Sequence, residues 1–175
     1  MNLVYHTGHN WDGITCTACS LVCAHNYQDG ICTNCHKGGP AYVNGYYEIS
    51  NAAQLYWFAA QVNSGNNMIN GKLIADIDLK GGKWTSIGYY LSDTISPDTI
   101  PYSGTFDGQG HTVSNFVTAG TDNEGLFGYC SSANIMNLGI IGASVTGWRG
   151  GAVAGYALTS NITACFAIDC TITGY

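Results

Sequence analysis

The chain has 175 residues and a formal net charge of −6, and only 9% of its residues are charged, where about 25% is usual. Five lysines and arginines in all exclude the basic face that nucleic-acid binding needs to displace counterions. They also exclude polybasic attraction to an anionic membrane. Twenty-four glycines and three prolines, with abundant Asn, Ser and Thr, suit a repetitive β structure in which small polar and β-branched residues stack. No transmembrane run is present, and the opening "MNLVYHTGHN" has neither the basic nor the apolar region of a signal peptide.

Residues 1–38 carry an internal repeat. A shift of sixteen places His9 on His25, Asn10 on Asn26, Trp11 on Tyr27, Cys16 on Cys32, Thr17 on Thr33 and Cys19 on Cys35. Two thiolates separated by two residues can curl onto one ion, and a tandem duplicate with histidine at fixed spacing fits a metal knuckle better than a redox pair. In the second unit Cys23 and His25 lie two apart, on one side of an extended segment, and "YQDG" can turn them back onto Cys32 and Cys35. In the first unit His9, Cys16 and Cys19 match, Thr7 stands where the second unit has Cys23, and His6 is the nearest replacement. One zinc ion per unit is the expectation, two in all. A single all-thiolate site from Cys16, Cys19, Cys32 and Cys35 is the other pairing, and a disulfide-stapled knot the other chemistry. So short a module cannot bury a useful core alone, so metal would supply its folding energy, and closed shells make it structural rather than catalytic.

Residues 39–45 read as a Gly/Pro linker. In "ISNAAQLYWFAAQVNSG", Leu55, Phe58, Ala59 and Val62 form an i, i+3, i+4, i+7 stripe, which predicts a helix capped by Ser50 or Asn51 and ended before Gly65. "KLIADIDL" alternates, with Leu73, Ala75, Ile77 and Leu79 on one face and Asp76 and Asp78 on the other. "YSGTFDGQGHTVSNF" reads as strand, tight turn, strand, with Asp107 and His111 as turn residues.

A second repeat follows, with a shift of twenty-seven. Leu126–Tyr129 meets Val153–Tyr156, Asn134-Ile135 meets Asn161-Ile162, Ile141 meets Ile168, and Val145-Thr146 meets Ile172-Thr173. A looser copy sets Val113 on Ile135, a shift of twenty-two. Such periods, built from short strands and turns, predict a stacked β solenoid with the helix capping its first coil. The same alignment sets Cys130, Cys165 and Cys170 opposite Ala157, Leu138 and Ala143, as small core or turn residues rather than ligands.

"ISNAAQLYWFAAQVNSG", "LIADIDL", "WTSIG", "SGTFDGQGHTVSNF" and "GLFGY" together resemble bacterial parallel β-helix proteins carrying the GLUG motif, as in the non-catalytic N-terminal regions of immunoglobulin A protease-like surface proteins. The cysteine and histidine units likewise resemble tandem zinc-ribbon-like elements of such proteins. The resemblance spans residues 46–175. It implies a mostly β fold: a right-handed parallel β-helix with an N-terminal capping helix, preceded by a small Cys/His zinc module. It further implies an extracellular or cell-surface location.

Two functions are consistent with these residues. The first is a non-catalytic surface module, a stalk or a platform binding a glycan or a host or cell-surface protein, with no nucleic-acid partner and no membrane insertion. Tyr89, Tyr90, Tyr102 and Trp148 could line a sugar site. The second is a polysaccharide-active enzyme using Asp76, Asp78 and Asp107, since acid pairs for glycoside cleavage sit about 5–9.5 Å apart. No catalytic set is assigned. Because "TITGY" closes a repeat, further coils are expected beyond it.

Overall fold

The structure is a computed structural model. It describes residues 39–90, 99–120 and 122–174, and the backbone alone at 11–12, 15–16, 27–28 and 31–32. The metal-ligand candidates His6, His9, Cys19, Cys23, His25 and Cys35 lie outside the described residues, and Cys16 and Cys32 are described only as backbone. Strands β1 (Trp11–Asp12) and β2 (Thr15–Cys16) pair antiparallel, with Trp11 opposite Cys16. Strands β3 (Tyr27–Gln28) and β4 (Ile31–Cys32) do the same, with Tyr27 opposite Cys32. The two hairpins therefore repeat at the sixteen-residue shift.

The stretch 39–45, expected as a linker, contributes β5 (Ala41–Val43), which pairs antiparallel with β6 (Tyr46–Ile49). Asn44 and Gly45 both take positive φ in the tight turn between them. Helix α1 (Ala52–Asn63) follows, with the Asn51 side chain accepting from the Gln54 amide as its N-cap. Its buried residues are Leu55, Phe58, Ala59 and Val62, the expected stripe. Phe58 packs at 6.0 Å from Tyr102 and 5.6 Å from Phe106, so the helix covers the start of the solenoid core.

About four coils then stack in parallel. The first holds β7 (Gly71–Leu73) and β8 (Ile77–Asp78), and an antiparallel hairpin, β9 (Tyr89–Tyr90) and β10 (Thr99–Ile100), is inserted in it. The second holds β11 (Thr105–Asp107), β12 (Thr112–Ser114), β13 (Val117–Ala119), β14 (Asn123–Glu124) and β15 (Phe127–Ser131). The third repeats them as β16 (Asn134–Met136), β17 (Gly139–Ile141), β18 (Ser144–Thr146), β19 (Arg149–Gly150) and β20 (Ala154–Leu158). The fourth has β21 (Asn161–Thr163), β22 (Phe166–Ile168) and β23 (Thr171–Thr173). Equivalent strands form the sheets, in the orders β21-β16-β11-β7-β6-β5, β22-β17-β12-β8 and β13-β18-β23, with β14-β19 and β15-β20 completing the coil.

The twenty-seven-residue register holds as expected: Asn134 faces Asn161, Ile141 faces Ile168, Val145 faces Ile172, and Cys130 faces Ala157. The twenty-two-residue copy does not. Val113 pairs with Ile140 rather than Ile135. The misleading likeness has a local cause: "VSN" and "IMN" each end a strand at an asparagine in the left-handed region, Asn115 (φ 56) and Asn137 (φ 52). They are successive corners of the coil, not the same corner in successive coils.

"KLIADIDL" likewise turns a corner instead of forming one strand. Leu73 and Ile77 both point inward, but they belong to β7 and β8, in different sheets. The corners fall on repeated positions: Gly110 (φ 83), Asn137 (φ 52) and Ala164 (φ 51) form one column, and Asn115 (φ 56), Gly142 (φ 63) and Asp169 (φ 54) another. The left-handed conformation costs most L-residues about 1–2 kcal/mol, and Gly, Asn and Asp least.

The interior is apolar and aromatic. Ile135, Leu138, Ile140, Ala143 and Val145 are buried in the third coil, and Tyr102 stacks on Phe127 at 5.2 Å. The two large, fully buried side chains with polar atoms find backbone partners: Trp84 Nε1 donates to Leu126 O at 3.0 Å, and Tyr102 OH to Ile69 O at 3.1 Å. On the fourth coil Ile162, Phe166, Ile168 and Ile172 are exposed, while Cys165 and Cys170 lie half-buried against the core as free thiols.

Asn137 combines a left-handed φ with a 3.0 Å bond from its amide nitrogen to Asp107 Oδ1 of the preceding coil. Asn137→Ala should cost roughly 1–2 kcal/mol, and Asn137→Gly distinctly less, because glycine keeps the conformation and loses only the bond. Urea unfolding of the two variants checks the order.

Candidate functional site

The carboxylates that an enzyme would use sit on corners and are already engaged. Asp76 Oδ1 accepts the Thr112 amide at 2.9 Å and lies 3.1 Å from His111 Nδ1. Asp78 Oδ1 accepts the Lys80 amide at 2.8 Å and the Asn115 side-chain amide at 2.9 Å. Both are exposed, and these bonds lower both pKa values. For Asp107 burial pushes upward, yet the bonds from Asn137 and Gln109 prevail and its pKa is lowered too. A general acid needs the opposite shift. Asp76 also precedes β8 in a corner rather than sharing a strand with Asp78. The three act as turn caps that tie one coil to the next.

A different place gathers aromatic and polar groups. An open cleft of about 510 Å³ is lined by Tyr90, Asp122, Asn123, Tyr129, Trp148, Arg149 and Tyr156. This is within the about 300–1,000 Å³ of small-molecule sites. The coil stacking builds it. Tyr129 on β15 and Tyr156 on β20 occupy equivalent positions, so their rings stack at 5.3 Å with an interplanar angle of 11°. The Arg149 guanidinium sits over the Tyr156 ring, 4.7 Å from its centre. The inserted hairpin brings Tyr90 edge-on to Tyr129 at 5.9 Å. Trp148 is 68% exposed, so its ring face is open to a ligand in the cleft.

Glu124, next to the lining residue Asn123 on β14, anchors that strand to the first coil. Its Oε2 accepts from Ser86 Oγ at 2.9 Å, and its strand β14 pairs with β19 and presents Asn123 beside Arg149. Gly120 and Gly147, twenty-seven apart, leave room for this side chain: a Cβ at Gly120 would collide with Glu124 Oε1, and one at Gly147 would lie 2.6 Å from its Cγ. Burial raises the Glu124 pKa.

Of the aromatics considered from sequence, the fold brings Tyr90 and Trp148 into the cleft. Tyr102 is buried in the core, and Tyr89 is half-buried outside the lining. Tyr129, Tyr156, Asp122, Asn123 and Arg149 were missed. The repeated "GY" of "LFGY" and "VAGY" marked the two tyrosines, but as a coil motif. Among the described residues no three or more His, Cys, Asp or Glu side chains converge in a metal-holding group. No helix among them is long and apolar enough to cross a membrane.

No protein-family model and no solved structure matches the chain. It is similar to a halomucin of Haloquadratum walsbyi (strain DSM 16790 / HBSQ001), with 32% identity over 150 residues, covering 81% of this chain. The chain spans about 2% of that protein's length.

The raised Glu124 pKa has a definite sign. The folded chain holds this proton more tightly than the unfolded chain, so stability falls as pH rises from the ordinary glutamate value of about 4.3 through the folded pKa. Asp76, Asp78 and Asp107 act oppositely: their stabilisation is present above about 3.9 and is lost as pH falls through their lowered values. Glu124→Gln keeps an acceptor for Ser86 and removes the ionised form. It should raise the melting temperature near about pH 7 and leave it unchanged near about pH 4, as thermal melts across that range would read.

Proposed function

We propose that the chain is a non-catalytic, extracellular or cell-surface glycan-binding module, a GLUG-type right-handed β-helix carried beside a structural zinc unit. The observation that carries the binding role is the cleft in which Tyr90, Tyr129, Trp148 and Tyr156 meet Asp122, Asn123 and Arg149. Aromatic faces with a few directed polar groups suit a sugar ring, which is apolar on its C–H faces and polar at its edge. The weakly charged surface and the likeness to a halomucin support the placement outside the cell.

The enzyme alternative is less well supported. Among the described residues Asp122 is the one carboxylate lining the cleft, where glycoside cleavage needs two. Asp76, Asp78 and Asp107 are held ionised away from it. Glycan-array binding that Trp148→Ala abolishes, with no release of reducing ends or unsaturated products on long incubation, is the expected result. Cleavage of any bound polysaccharide would replace this reading with the enzymatic one.

The zinc proposal rests on the sixteen-residue ligand repeat and on the two hairpins that share it. The ions are assigned to His6, His9, Cys16 and Cys19, and to Cys23, His25, Cys32 and Cys35. Elemental analysis should find close to two zinc ions per chain. A chelator should release them and unfold the N-terminal unit while most of the β signal persists, because the solenoid has its own core. The same cysteines found as disulfides in metal-free protein would sink the assignment.

A further inference from the structure

Aromatic clefts take three kinds of ligand: a cation held over ring faces, an anion held by arginine, or a neutral polyol laid on a ring and hydrogen-bonded at its rim. The charges of this cleft separate them. A cationic ligand would be repelled by the Arg149 guanidinium, which already occupies the Tyr156 face at 4.7 Å from its centre. An anion would meet the Arg149 guanidinium, but also the Asp122 carboxylate in the same lining, on a chain of net charge −6. Asp122 and Arg149 do not form an ion pair with each other among the described residues. The site therefore presents one full acceptor and one fork of donors, unspent, beside the exposed Trp148 ring.

That set matches a group of adjacent hydroxyls, each both donor and acceptor. Resting on the glycan reading above, we infer that the cleft selects a neutral pyranose, its C–H face on Trp148 and its hydroxyls shared between Asp122 and Arg149. Tyr129, only 8% exposed, acts by holding Tyr156 in place rather than by touching the sugar. Arg149 is the specificity-determining residue, because its position over Tyr156 both blocks a cationic ligand and aims its donors.

The test uses the whole chain in calorimetric titrations, at low and high salt. The probes are a panel of neutral polysaccharides (galactomannan, xyloglucan, mixed-linkage glucan), polygalacturonate, and phosphocholine. At least one neutral polysaccharide should bind with an affinity that salt leaves unchanged. Trp148→Ala and Arg149→Ala should each weaken it about tenfold, with an unchanged far-ultraviolet dichroism spectrum and melting temperature showing the fold intact. Binding confined to polygalacturonate and lost in salt overturns the neutral assignment and leaves the glycan reading standing. Binding of phosphocholine alone overturns both, as does a chain that binds none of the polysaccharides. Neutral binding untouched by both substitutions shows that the sugar sits elsewhere and overturns the site.

Discussion

The parallel backbone ladder between coils is the interaction on which everything else depends. Each strand of the second coil pairs with its counterpart in the third, twenty-seven residues along the chain except for β11 with β16 and β14 with β19. Such pairing is possible only if every coil turns its corners at the same places. The left-handed residues supply those turns, in columns such as Gly110, Asn137 and Ala164. Ala164 shows that position outweighs residue preference, since alanine gains nothing locally from a positive φ. The energy that holds it there is tertiary, from the ladder and from Cys165 packed against the core behind it.

The ladder also makes the cleft. Stacking in register turns a sequence repeat into a spatial one, so Tyr129 and Tyr156 come face to face without any local contact between their segments. The same register sets Asn123 beside Arg149. Glu124 shows the cost of this construction. Its carboxyl is half-buried, which raises its pKa, yet its bond to Ser86 ties β14 to the first coil. The first coil in turn carries the inserted hairpin that supplies Tyr90. One rigid stack thus positions side chains from three distant parts of the chain around one opening.

The acids follow the same logic. Asp76, Asp78 and Asp107 looked chemical because carboxylates recur at short spacing in a weakly charged chain. In place they accept backbone amides at corners and side-chain donors from the adjacent coil. A carboxylate with two or three such donors is held ionised, which suits a turn cap and not a proton donor. The column of corners therefore accounts for them without a substrate.

Periodicity by itself determined the helix and its buried stripe, because a 3.6-residue pattern is a local property of consecutive residues; the capping preferences narrowed the cap to Ser50 or Asn51, and the structure uses Asn51. It also determined the register of the last two full repeats, since identical environments select similar residues at equivalent places. A shorter period was present but went unread: the buried positions Ile135, Leu138, Ile140, Ala143 and Val145 alternate at spacings of three and two, one strand and one corner every five residues. Missing it let "VSN" align with "IMN" on the wrong corner. Only the tertiary structure decided which side of a corner each aspartate served, that Tyr102 lies in the core while Tyr90 stands at an opening, and that Arg149 lies over Tyr156. Those are relations between coils. They depend on how far an inserted hairpin reaches and on which residues stand one above another. No window of adjacent residues contains that information.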